Sequence, residues 1–133
     1  MNISKTSPPN YEMLQAAFNP QGTVFYCYGD TIYSPSGADV PEDIILHETI
    51  HSKRQGTDPN GWWMRYIQDS AFRLEEELLA CAHQLNFVKK NMGNRAAEDC
   101  LFEIAQGLTM NYNLSMTHAQ AESAVRSKAK TLK

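Results

Sequence analysis

Between Ser70 and Gly93 the apolar residues Leu74, Leu78, Cys81, Leu85, Val88 and Met92 recur at alternating spacings of four and three. That period keeps them on one face of a helix, so the pattern predicts a long helix over 70–92 with a core-facing seam and Gly93 as its stop. A different pattern holds over 23–34, where β-branched and aromatic residues flank Gly29-Asp30. It predicts a hairpin over 23–34, strands at about 23–28 and 31–34, turned by a type II′ loop with Gly29 first. Residues 1–22 read as an irregular lead-in, in which Asn10 is a candidate cap, followed by a short helix, "YEMLQAAF", over 11–18.

The stretch from Asp39 to Gly56 carries helix punctuation at both ends. Asp39 reads as an N-cap with Glu42 as its capping-box partner, Pro41 falls in the first turn, and Lys53, Arg54 and Gly56 suit the C-terminus. Residues 57–70 predict a loop and a short aromatic helix or turn. Beyond Gly93, Asn94 as cap and Gly107 as stop bound another helix, and Thr117 caps a last one to about 130. The expectation is one mostly α domain with a small β-hairpin (α+β), spanning 1–133: lead-in 1–22, hairpin 23–34, helices 39–56 and 70–92, and C-terminal helices over 94–130.

Composition narrows the function classes. The 133 residues are 42% hydrophobic and 20% charged, enough for a packed core in a single domain. A net charge of −3 argues against a nucleic-acid binder, and the basic end "RSKAKTLK" reads as a solvated helix terminus. The cysteines, Cys27, Cys81 and Cys100, are odd in number and form no C-x-x-C pair, so a reducing cytoplasm is expected. No run approaches a membrane span or a signal-peptide core, so no membrane partner is expected.

Within the helix expected over 39–56 lies "HETIH", His47 to His51. Residues four apart share a helical face, so His47 and His51 can reach one metal ion, and Glu48 projects from nearly the same side as a base for water. Two imidazoles favour zinc, one ion per chain, which acidifies bound water. A third ligand is needed. Position 54 is Arg and position 57 Thr, which excludes the pattern H-E-x-x-H-x-x-G-x-x-H. The remaining source is "RLEEELL". At about 100° per residue, Glu77 lies roughly 60° from the middle of the seam, Glu75 roughly 100° and Glu76 roughly 160°. Glu77 is therefore expected at the metal, Glu75 in reserve, and Glu76 pointing away from the core, with Arg73 as another possible partner for the border charge.

His47-Glu48-x-x-His51 followed by Glu77-x-x-Ala80 resembles the gluzincin pattern H-E-x-x-H…E-x-x-A. More narrowly, "YGDTIYSPSG", "HETIHSKRQG" and "WWMRYIQDSAFRLEEELLA" together are similar to a family of small, mostly phage-encoded metallopeptidases. The likeness covers about 23–90 and, more weakly, "LSMTHAQAESAV"; Leu79 and Lys53-Arg54 depart from it. It implies a minimal zincin-like domain in which the HExxH helix packs on the helix bearing Glu77, with Ala80 allowing close approach. It implies His47, His51 and Glu77 as ligands, Glu48 as catalytic base, and a peptide or protein as substrate in a host cytoplasm. The hairpin edge is the expected rail for an extended peptide. A zinc-stapled protein that binds a host or phage protein without turnover is the alternative. Tyr28, Tyr33, Tyr66, Tyr112, Arg65 and His118 are candidate oxyanion donors by type. Cys81 reads as a core residue, His83 as solvated, and Trp62-Trp63 as packing between the histidine helix and the next.

Overall fold

The computed structural model describes residues 1–132, which form three short strands and six helices. In chain order these are β1 (Asn2–Ser4), α1 (Tyr11–Phe18), β2 (Tyr26–Tyr28), β3 (Thr31–Tyr33), α2 (Glu42–Gln55), α3 (Pro59–Gln68), α4 (Ser70–Met92), α5 (Asn94–Met110) and α6 (His118–Thr131). The chain is thus mostly helical with a small sheet, an α+β arrangement. No described helix is long and apolar enough to cross a membrane.

The hairpin forms, but its ladder is shorter than the apolar run suggests. β2 pairs antiparallel with β3 from Tyr26 to Tyr28, and Gly29 supplies the turn's positive φ of 63°. Residues 23–25 lie outside the ladder. The lead-in is not wholly irregular: Asn2–Ser4 adds parallel to β3, which makes the order β1-β3-β2. A three-residue strand whose one apolar side chain, Ile3, stays exposed has no period to read. Its place is set by pairing with a segment 29 residues away in register, Asn2 with Thr31.

Helix ends also differ from their local signals. α2 begins at Glu42 with Pro41 at the N-cap, and there is no side-chain cap bond. Asp39 instead receives a 2.6 Å hydrogen bond from Lys5, which ties the approach to α2 to the residue after β1. Asn10 occupies the cap position of α1 without a side-chain cap bond. Gly93, not Asn94, holds the N-cap position of α5, and that helix continues through Gly107 to Met110. A glycine costs a helix only about 1 kcal/mol relative to alanine, less than tertiary packing returns. The Thr117 cap is present, completed as a capping box by Gln120.

α4 is the centre, touching α2, α3, α5 and α6. On one side Leu85, Val88, Leu101, Ile104, Leu108 and Val125 belong to an apolar core shared with α5 and α6. On the other, Leu14, Tyr26, Trp62, Trp63 and Tyr66 form an aromatic cluster under α1 and the hairpin. Tyr112 packs against both. Both tryptophans are buried, as their packing role requires.

Arg73 holds the segment after α5 in place. Its guanidinium is buried and donates to the carbonyls of Tyr66 and Ile67 and, across the chain, to those of Tyr112 (2.8 Å) and Asn113 (3.1 Å). It is therefore not the partner of Glu77. Replacing it by methionine leaves these carbonyls without that donor, at about 1–3 kcal/mol for each buried group left unsatisfied. Arg73→Met is expected to lower the unfolding free energy by roughly 3 kcal/mol in urea titration; a loss below about 1 kcal/mol contradicts the clamp.

Candidate metal centre

The HExxH segment occupies the middle of α2, and the helical repeat brings His47 and His51 to one side. Their Nε2 atoms face each other at 3.1 Å. Glu77 of α4 meets both, with Oε2 2.8 Å from His51 Nε2 and Oε1 3.5 Å from His47 Nε2. All three residues are buried, and one ligand atom from each lies within 4.8 Å of the others. This His-His-Glu group could hold a metal ion. Glu75, the reserve choice, is exposed and faces away.

Ala80, fully buried one turn after Glu77, fits the expectation of a small residue where α4 meets its neighbours. Tyr66 donates its hydroxyl to Glu77 Oε2 at 2.9 Å. Burial and then the charge on Glu77 push the Tyr66 phenol well above its ordinary value, so it stays a donor. Burial by itself would raise the Glu77 carboxyl. The neighbouring imidazoles, His51 first and then His47, outweigh that and hold it well below the usual carboxylate range.

The tautomer of His47 follows from a chain of contacts. Asp43 accepts from Gln84 Nε2 at 2.8 Å, which turns the Gln84 carbonyl oxygen toward His47 Nδ1 at 2.9 Å. Nδ1 must then carry a hydrogen, so that when the ring is neutral its lone pair sits on Nε2, the nitrogen on the Glu77 side. Gln84 and Asp43 did not stand out in the sequence. Gln84 lies seven residues after Glu77, two turns along the same face, and that spacing is the one signal that could have marked it. Cys81 is a core residue as expected, its sulfur 4.0 Å from His47 Nδ1.

Glu76 is where the seam argument fails. It is 2% exposed, not outward, and its carboxylate accepts from Trp62 Nε1 at 2.7 Å and from Arg54 Nε at 2.9 Å. Trp62 stacks on Tyr66 and lies 5.3 Å from the His51 ring, so Glu76 anchors the aromatic wall beside that imidazole. Arg54, a departure from the family likeness, is explained by this ion pair. His83 is half-buried rather than freely solvated, and burial, then Lys53, lower its pKa.

Glu48 is 6% exposed and accepts no hydrogen bond from the described residues. Burial raises its pKa, an effect that His47 and His51 partly oppose. With the three ligand candidates it lines a cavity of about 30 Å³, walled by Phe18, Tyr26, Trp63 and Tyr112. That is room for very few water-sized groups. Of the six candidate oxyanion donors, Tyr66 and Tyr112 line this cavity. Tyr28 and Tyr33 stay on the hairpin, Arg65 lies over the Phe72 ring, and His118 pairs with Glu122 at 2.8 Å.

The hairpin does not offer the expected rail at β2. The Cys27 carbonyl already accepts from Gln55 Nε2 (2.8 Å) and Trp63 Nε1 (2.9 Å), which closes that edge against a fourth strand.

Two polar atoms of the cluster have no hydrogen-bond partner: Glu77 Oε1 and His51 Nδ1. A buried carboxylate oxygen with no hydrogen-bond partner among the described residues, beside two imidazoles, is costly unless a cation sits among them, so the donor set fits a metal ion. Compared with protein-family models, curated proteins and solved structures, the chain has no match in any of the three.

Two measurements check the ligand set. Divalent metal is expected to raise the melting temperature of the wild-type chain and of Glu75→Gln but not of Glu77→Gln; a rise preserved in Glu77→Gln removes that residue from the set. Gln84→Leu is expected to weaken metal affinity about 10–100-fold in competition with a chromophoric chelator, and undiminished affinity contradicts the tautomer assignment.

Proposed function

We propose that the chain is a zinc-dependent metallopeptidase of gluzincin type, a minimal zincin-like domain with His47, His51 and Glu77 as ligands and Glu48 as general base. The observation that carries this reading is the buried Glu77 carboxylate. One oxygen is unpaired, the other is supported by Tyr66, and two imidazole nitrogens converge on it. The spacing H-E-x-x-H…E-x-x-A adds to it.

When bound, zinc supplies a Lewis acid that makes water a nucleophile near neutral pH. The chain's own residues do the rest. Glu48, buried beside the ligands without a competing hydrogen bond, takes a proton from water and later hands it to the departing amine nitrogen. Its raised pKa suits a group that must hold that proton between the two transfers. Tyr112 lines the same cavity and is the donor that this reading assigns to the carbonyl oxygen as it becomes an oxyanion. Trp62 and Tyr66 wall the ligands from bulk water, which strengthens each charge interaction inside.

One observation favours a second reading. A cavity of about 30 Å³ admits no peptide side chain as it stands, which suits a protein that uses zinc as a staple and acts by binding. The variant Glu48→Gln separates the two. It is expected to keep the metal-dependent rise in melting temperature and to lose about 10²-fold or more in hydrolysis of a mixed peptide library, followed by mass spectrometry. Wild-type turnover in that variant ends the general-base role. Zinc-loaded wild-type protein that cleaves nothing leaves the binding reading in place.

A further inference from the structure

Beside the small cavity at the ligands lies a larger groove of about 340 Å³ between α2 and α5, and His47, Glu48 and Tyr112 line both. The composition of the groove is one-sided. Its apolar lining includes Ile44 and Ile104, and its ionisable rim carries the carboxylates of Asp43 and Glu103. No lysine or arginine lines it, and neither Asp43 nor Glu103 has an ion-pair partner among the described residues. Glu48, more than nine-tenths buried and without a hydrogen-bond donor among the described residues, lines the same space.

We propose that this groove selects peptides by a cationic side chain, lysine or arginine, whose aliphatic stem lies along Ile44 and Ile104 and whose charged head reaches Asp43 and Glu103. A long side chain that is apolar along its length and charged at its tip matches a slot with apolar walls and an acidic rim. An acidic or purely aliphatic side chain leaves the carboxylates repelled or unused. Glu103 is the cleaner specificity determinant, because Asp43 also supports Gln84.

The inference rests on the proposed peptidase in that it supplies that site's substrate class, but it is tested by binding. N-acetylated, C-amidated hexapeptides that differ at one position, lysine, arginine, norleucine or glutamate, are titrated into the zinc-loaded full chain by calorimetry. Lysine and arginine peptides are expected to bind about three- to tenfold more tightly than the norleucine peptide, with the advantage falling as salt rises. Glu103→Gln should remove most of that advantage, and Glu103→Lys should invert it in favour of glutamate. Equal affinity for all four peptides, or a preference unchanged in Glu103→Lys, overturns the proposal. Tight binding of the lysine peptide without cleavage removes the peptidase and keeps the groove. Cleavage indifferent to the varied residue does the reverse.

Discussion

A carboxylate buried between two imidazoles is the constraint on which the arrangement of this chain depends. An ionised group removed from water costs several kcal/mol unless charge and hydrogen bonds replace the lost solvation. Glu77 receives these from residues of different elements: His47 and His51 from α2, Tyr66 from α3. Each must arrive within hydrogen-bond distance, so the relative placement of α2, α3 and α4 is specified by polar geometry as much as by apolar burial. Ala80 keeps α4 slim at that level, and its neighbours on the helix, Glu76 and Gln84, carry the outer contacts that orient Trp62 and His47.

The polar layer is bordered by two apolar bodies of different character. The aliphatic core of α4, α5 and α6 is built from residues with helical spacing and would pack without any site. The aromatic cluster under the hairpin is tied to the site, since Trp62, Trp63 and Tyr66 each spend their one polar atom on a buried acceptor: Glu76, the Cys27 carbonyl and Glu77. Aromatic residues suit this position because they combine a large apolar area with one directed donor. Arg73 closes the junction by gathering carbonyls from α3 and from the segment after α5, and so fixes Tyr112 at the mouth of the cavity.

The apolar seam of α4 borders Glu77 but gives no sign that Glu76 is buried. The apolar stripe marks only the side that meets α5 and α6. α4 is in fact covered by four helices, and the rest of its buried arc is Arg73, Glu76, Glu77, Ala80 and Gln84. Polar residues that bury against polar partners leave no hydrophobic period, so the arc looks solvent-facing until the partners are known. Met92 is the converse case: it continues the stripe yet is exposed. The caps show the same limit on a smaller scale, since Asp39 had a choice between its own helix and Lys5.

Local chemistry by itself determined most of the helices, the hairpin turn and the residue types of the candidate metal group. A helical period, a glycine turn and an HExxH pentad act over a few residues, and their geometry holds wherever the chain later folds. Tertiary structure decided what those residues meet. It decided that Ser4 and its neighbours join β3, that Trp62 and Arg54 neutralise Glu76, that Gln84 sets the His47 tautomer, and that the β2 edge is already taken at Cys27. These are long-range pairings in which each partner is an ordinary residue alone, so no local pattern records them. The cavity and the acidic groove belong to the same class, because both are spaces between elements and are shaped only when α2 and α5 have been brought together.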